Sequence, residues 1–147
     1  MGVLVDTNIL LRSVEPLHPQ YSIAVQAVAR LLAQDTTVYF TLQNIAEFWN
    51  VATRPKDKNG LGLTIPAVVS KVEKIENLLI LLPDTPAVYA QWKRIVLDHN
   101  VSGVQVHDAR LVATMKAHGV TGLLTFDVGD FSRYSGIEVT HPQAIAL

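Results

Sequence analysis

Apolar runs of four or five residues alternate along this chain with stretches in which apolar residues recur at helical spacing. That pattern predicts strands separated by helices, an α/β fold. The first run, Gly2 to Val5, is apolar throughout, as a strand covered on both faces of a parallel sheet must be. Asp6 ends it. From about Pro19 to Gln34 a helix is predicted with Ala24, Val28, Leu31 and Leu32 on one face, and Thr37 to Thr41, rich in β-branched and aromatic residues, reads as the second strand. Leu42 to Thr53 returns to helical spacing, with Ile45, Phe48, Trp49 and Ala52 as its core stripe. Arg54 to Gly62 carries two glycines, a proline and three cations, which predicts a solvated, mobile loop.

In the second half, Thr64 with Pro66 signals a helix start, and that helix is expected to run to about Asn77. Leu78 to Leu82 is expected as a buried strand. Thr85 with Pro86 opens a further helix through Tyr89, Trp92 and Val96 to about His99. Val106 to His118 is another, stopped by Gly119. Gly122 to Phe126 and Ile137 to Thr140 bring the strands to about five, each separated by helix, which favours right-handed parallel crossovers and a central, mostly parallel sheet.

Composition narrows the chemistry. A chain of 147 residues, 49% of them hydrophobic, fits a single domain over 1–147 with one ordinary core. The absence of cysteine removes disulfides, thiolate metal sites and cysteine nucleophiles. The longest apolar run, Leu78 to Leu82, is far too short to cross a membrane, and the N-terminus lacks the basic start and long apolar stretch of a secretory signal. A soluble chain with a cytoplasmic address is expected. Twelve Lys and Arg against thirteen Asp and Glu give a net charge of -1, so any contact with nucleic acid has to be local.

In an open parallel sheet the reactive crevice lies beyond the carboxyl ends of the strands. Asp6 and Asp127 both follow strands, and would emerge on one edge if those strands run parallel. Either one alone reads better as an N-cap. Asp108 shares its helix face with Leu111, Val112 and Met115. A carboxylate on a core stripe needs a cation, hydrogen bonds or water in a cleft, unless it is a first-turn acid angled outward along the helix dipole; both readings stay open. Glu47, with Gln43, Asn50 and Arg54 on its face, reads by itself as part of a wet helix surface. His18, His99, His107, His118 and His141 form no i,i+4 pair or HExxH pattern, and no GxxxxGK[ST], GxGxxG or GxSxG segment occurs.

Taken in order, Val5-Asp6-Thr7-Asn8-Ile9-Leu10, Ala46-Glu47-Phe48, His107-Asp108-Ala109 and Leu124-Thr125-Phe126-Asp127, followed by Asp130-Phe131, resemble a PIN domain. The likeness is greatest to the VapC-type toxin ribonucleases of toxin–antitoxin pairs, and it spans the chain. It implies a three-layer α/β/α fold in which acids hold Mg²⁺ or Mn²⁺ and RNA is cut. By that resemblance Asp6, Glu47, Asp108 and Asp127 are the metal-site acids, with Asp130 the alternative to Asp127. Thr7 and Asn8 belong to the first motif, and Thr125 matches the hydroxyl that orients the first aspartate. Oxygen-only ligands suit Mg²⁺ or Mn²⁺ rather than zinc.

Arg12, Arg54, Arg110 and Arg133, with Lys56 and Lys58, lie close in sequence to the motifs and are candidates to bind substrate. Each reads as readily as a solvated surface charge. The resemblance also implies a VapB-like antitoxin and a homodimer, with the helix from Pro19 to Gln34, including Tyr21 and Ile23, as the contact face. Two other classes compete. One is a catalytically silent module of the same fold that binds RNA or protein, for which Glu47 would swing to solvent. The other is a phosphoryl-transfer protein: a haloacid-dehalogenase-like phosphatase expects a second aspartate where Asn8 stands, and a receiver-like domain expects a lysine that Ile137 to Thr140 does not offer.

Overall fold

A computed structural model describes residues 2–146. The elements follow in the order β1 (Val3–Val5), α1 (Thr7–Arg12), α2 (Tyr21–Ala33), β2 (Val38–Thr41), α3 (Leu42–Thr53), α4 (Ile65–Leu78), β3 (Ile80–Leu82), α5 (Pro86–Asp98), α6 (Gln105–His118), β4 (Gly122–Leu124) and β5 (Glu138–Thr140). Short 3₁₀ turns occupy Lys56–Lys58, Val128–Phe131 and Pro142–Ala144. The strands form one parallel sheet in the order β3-β2-β1-β4-β5. The chain steps outward from β1 through β2 to β3 and then returns to β4 on the other side of β1. Strand order therefore reverses at the β1/β4 pair, where ligand crevices form in such sheets.

The twofold period of a strand divides the interior into two cores. Val5, Val38, Phe40 and Leu124 pack toward α1 to α4, with Ile9, Leu31, Phe48, Val68 and Ile75. Leu4, Leu82 and Leu123 point the other way, toward α5 and α6, with Val88, Ile95, Leu111, Val112 and Met115. This is the three-layer α/β/α arrangement, and it accounts for strands that are apolar on both sides.

Helix termini follow the sequence signals closely. Thr64 Oγ accepts from the Ala67 amide to cap α4, and Gly119 stops α6 with φ of 69°. Three expectations change. The six-residue α1 was not foreseen, because Ile9, Leu10 and Leu11 are all buried and leave no amphipathic period to read. Leu78 to Leu82 is not a buried strand: Leu78 closes α4, and β3 lies at the sheet edge with Ile80 56% and Leu81 48% exposed. An apolar run is the same in sequence whether it lies at the centre or the edge.

Arg54–Gly62, read as a loose loop, is a hydrogen-bonded turn folded back on α3. The Leu61 and Leu63 amides donate to the Val51 and Ala52 carbonyls at 3.0 and 2.9 Å. A β-carbon at Gly60 would stand 1.9 Å from the Arg54 carbonyl oxygen, so glycine is required for the chain to pass there. No helix among the described residues is long and apolar enough to cross a membrane.

Candidate active site

Asp6 is the residue at which β1 becomes α1. Its amide donates to the Leu124 carbonyl of β4 at 2.9 Å, while its Oδ1 caps α1 by accepting from the Thr7 amide at 2.8 Å. Its other oxygen, Oδ2, accepts from Thr125 Oγ1 at 2.8 Å, just beyond the end of β4. The cap reading and the site reading of Asp6 thus describe one side chain with two oxygens used differently. Thr125 is fully buried and also accepts from the Asp127 amide at 3.0 Å and from Asn8 Nδ2 at 3.3 Å. Asn8 Nδ2 reaches Asp127 Oδ2 at 3.2 Å as well.

A second chain of bonds ties in α3. Thr41 and Asn44 form a capping box at its start, and buried Asn44 Nδ2 donates to Thr7 Oγ1 at 3.1 Å. The Thr7 hydroxyl then donates to Glu47 Oε1 at 2.7 Å. Read alone, Glu47 looked like a solvated glutamate; the fold turns it inward because Leu42 to Thr53 starts at the sheet edge shared with Asp6. Gln43, grouped by spacing with the wet face of that helix, is only 8% exposed. Its Nε2 donates to the His107 carbonyl at 2.9 Å, joining the first turn of α3 to that of α6 one residue before Asp108. Asn44 and Gln43 were missed as positioning residues, although Thr41-x-x-Asn44 carried a legible helix-start signal.

Asp108 is half-buried, and no hydrogen bond to its carboxylate occurs among the described residues. Burial raises its pKa to about 7, with further upward contributions from the charges of Asp6, Asp130, Glu47 and Asp127. Burial also raises Asp6, to about 6; the Thr125 and Thr7 hydrogen bonds oppose the shift, and Glu47 and Asp127 add to it. Asp127 therefore acts on both Asp6 and Asp108, whereas Asp130 acts on Asp108. Ion pairs among the described residues involve Glu15 and Asp84 rather than any of these five acids. Among the described residues no three acids or histidines close to metal-ligand spacing by themselves. Asp6, Glu47 and Asp127 are held by hydroxyl and amide groups, and among the described residues none of the five acids is paired to a lysine or arginine.

A pH dependence follows. Both folded-state pKa values lie above the unfolded value near 4, so between about pH 4 and 7 the native state holds protons that the unfolded state has lost, and stability falls as pH rises. In metal-free buffer, Asp108→Asn is expected to match the unsubstituted chain near pH 4 and to exceed it at pH 8 by about 1–2 kcal/mol, after allowance for solvent screening of a half-exposed group. Urea midpoints across that range test this; a difference that does not vary with pH contradicts it.

The predicted substrate arginines are not brought onto the acids. Arg12, in the last turn of α1, pairs with Glu15 at 2.7 Å and also contacts Gln20. Arg54 donates to the Asn59 carbonyl in the turn after α3. Arg110 pairs with Asp84 at 2.8 Å. Arg133 bonds Gln105 and the His99 carbonyl and lies over the Tyr134 ring. Lys56 and Lys58 are exposed in their 3₁₀ turn.

Compared with known proteins, the chain resembles the structure of VapBC2 from Rickettsia felis bound to a promoter DNA fragment, with 18% identity, a TM-score of 0.68, and 96% of this chain and 98% of that one covered. VapC20 of Mycobacterium tuberculosis, a toxin that cleaves the sarcin-ricin loop, aligns with 21% identity and the same TM-score over 94% of this chain and 98% of that one. FitAcB from Neisseria gonorrhoeae shares 27% identity at a TM-score of 0.59, covering 95% and 97%. The search of curated proteins by sequence returned no match. The family model for the PIN domain matches residues 3–137, a span that includes Asp6, Glu47, Asp108 and Asp127. With the parallel sheet, the three layers and the acids gathered at the β1/β4 switch point, this chain belongs to the PIN-domain family.

Proposed function

We propose that this protein is a metal-dependent ribonuclease and the toxin of a type II toxin–antitoxin pair. The observation that carries the reading is that carboxylates from the end of β1, α3, α6 and the segment after β4 come close enough to raise the pKa values of Asp6 and Asp108, with no basic side chain among the described residues paired to them. Such a group is tolerable at neutral pH if a hard divalent cation offsets the repulsion, and an all-oxygen donor set suits Mg²⁺ or Mn²⁺. Asp6, Glu47, Asp108 and Asp127 would hold the ion, with Asp130 on the Asp108 side. When bound it would supply an activated water and neutralise charge on the phosphoryl group.

The chain's own residues contribute orientation. Thr125 and the Thr7 amide hold both oxygens of Asp6, so its carboxylate is fixed before any ligand arrives. Thr7 Oγ1, steadied by Asn44, fixes Glu47. A silent module would leave Glu47 turned to solvent, and the 2.7 Å bond from Thr7 is the reason to favour the hydrolytic reading. In the metal-free chain Asp108, raised to about 7 chiefly by burial, takes up a proton near neutral pH, which a bound cation would displace.

The partner expected from the family is an antitoxin segment, and we place it on an apolar groove of about 280 Å³ between α1, α2 and α4. On α2 its wall is Val25, Val28 and Ala29, while Tyr21 and Ile23, singled out from the pattern, are half-buried. Self-association into a homodimer belongs to the same reading. The deciding experiment incubates the purified chain with single-stranded RNA and tRNA in Mg²⁺, Mn²⁺ or EDTA. Cleavage with either metal and none in EDTA is expected, together with a thermal midpoint that rises when metal is added. Cleavage that survives EDTA would remove the metal role, and no cleavage of any RNA would remove the nuclease.

A further inference from the structure

On the same carboxyl edge of the sheet as the acids lies a cleft of about 380 Å³ lined by Asp84, Thr85, Val88, Tyr89, Trp92 and Arg110. Asp84 and Thr85 follow β3, whose register with β2 brings its end level with that of β2, and β2 in turn runs parallel beside β1. Arg110 follows Asp108 by two residues on α6, about 200° round the helix, so the cleft and Asp108 lie on different sides of α6 at the same end of the sheet.

Its walls have three features that structural packing does not require. Tyr89 is 64% exposed, yet its ring lies stacked with Trp92 at a centroid distance of 6.4 Å and an interplanar angle of 29°. Trp92 is held by its indole N–H, which donates to the Val106 carbonyl at 2.9 Å, so one aromatic plane is fixed while the other faces solvent. Arg110 and Asp84 meet across the cleft at 2.8 Å with side chains 41% and 39% exposed, and a single guanidinium nitrogen, Nη2, carries that contact. An exposed ion pair of this kind adds little stability. Together the walls offer an aromatic face, a multidentate donor and a carboxylate acceptor in one place. Unpaired bases are recognised by that combination: stacking on the ring, hydrogen bonds along the edge, and a cation for the adjoining phosphate.

We infer that this cleft is a subsite for one unstacked nucleobase of a single-stranded RNA segment whose scissile phosphodiester lies at the acids. The base stacks on Tyr89 and Trp92. Arg110 takes the neighbouring phosphate or a base acceptor, and Asp84 accepts from a base amino or imino group. The inference rests on the ribonuclease reading only in where it puts the scissile bond. It explains how a chain of net charge -1 can attract RNA to an acidic site: the recognition is local, and Arg110 is the arginine that reaches it from the helix bearing Asp108.

The test measures binding of fluorescein-labelled single-stranded oligoribonucleotides of each base composition to the full chain carrying Asp6→Asn, so that the strands stay intact. Adding Tyr89→Ala is expected to weaken binding about tenfold, while Tyr89→Phe keeps it. Arg110→Gln is expected to weaken binding and to reduce the salt slope of log Kd by about one contact's worth. In hydrolysis by the chain without Asp6→Asn, Tyr89→Ala should raise KM with kcat retained and flatten any base preference beside the cut. Unchanged affinity in Tyr89→Ala overturns the inference. So does a shift from dimer to monomer on sedimentation with RNA affinity unaltered, which assigns this face to a second copy of the chain. A chain that hydrolyses no RNA but still loses binding with Tyr89→Ala removes the nuclease reading and leaves the subsite.

Discussion

Asp108→Asn should lower RNA hydrolysis by about 10³-fold or more, and Asp6→Asn should do the same, because under the proposed mechanism each removes a charge worth several kcal/mol to a site that would hold a cation against phosphoryl oxygens. Asp108→Asn should also raise the thermal midpoint of the metal-free protein at pH 8, whereas in Asp6→Asn the lost acceptor for the buried Thr125 hydroxyl opposes that gain. Asp6 and Asp108 are held above their ordinary range, at about 6 and about 7, chiefly by burial, with Glu47 and Asp127 raising both and Asp6 and Asp130 also raising Asp108. Ionising them in the folded state is therefore unfavourable, and neutral amides remove that penalty. Opposite movements of activity and stability distinguish a site kept under electrostatic strain for function from carboxylates that merely support the fold. Single-turnover cleavage and melting curves, both in defined metal, measure the two effects. Full hydrolysis in Asp108→Asn would place the chemistry elsewhere.

Thr125→Val should show the opposite pattern, with activity and stability falling together. The valine fills the same space, but three contacts go with the hydroxyl: the bond to Asp6 Oδ2 and those from the Asp127 amide and Asn8. Leaving buried polar groups unpaired costs about 1–3 kcal/mol, which lowers the melting temperature of a chain this size by several degrees. With the proposed ion held by these acids, the loss of positioning around them is expected to reduce cleavage about 10–100-fold. Thr125 is a positioning residue, and two readouts separate that role from general destabilisation. Thr125→Ser should restore most of the cleavage, and Thr125→Val should push the Asp6 pKa still higher, since the Thr125 bond is the largest influence holding it down. A variant that melts early but cleaves at the normal rate below its transition would contradict this role.

The fold was legible where local pattern carries it. β1, the helix from Leu42 to Thr53, the starts at Thr64 and Thr85 and the stop at Gly119 could be read because caps, prolines and periodicity act within a few residues of themselves. α1 was lost for lack of a polar face, and the strand expected to be buried at Leu78 to Leu82 forms an exposed sheet edge. Among the site candidates, Asp108 stood out because a carboxylate on a core stripe is a local contradiction. Glu47 did not, since its neighbours along the helix are polar and only the distant Thr7 reveals which way it faces.

The arginines illustrate the converse problem. Proximity in sequence to a motif says nothing about reach: Glu15 and Asn59 hold Arg12 and Arg54 locally, while Asp84 and Gln105 hold Arg110 and Arg133 by contacts that sequence distance does not encode. Arg110 alone returns as part of a cleft, through the company of Tyr89 and Trp92. Gln43 carries the same lesson: it looks like a surface amide until the first turn of α6 is laid against it.

Sequence alone determined that this is an alternating α/β chain without cysteine chemistry, that Asp6 and Asp127 stand at or just beyond strand ends, and that Asp108 opens a helix on its apolar side. Tertiary structure decided that β4 lies beside β1, so that Asp6 and Thr125, 119 residues apart in the chain, share a hydrogen bond. It also decided which polar groups hold each acid and which cations are taken elsewhere. The reason is physical: backbone preference and periodicity act over a few residues, whereas the meeting of like charges depends on the order in which strands join the sheet, and that order is settled by packing two apolar cores at once.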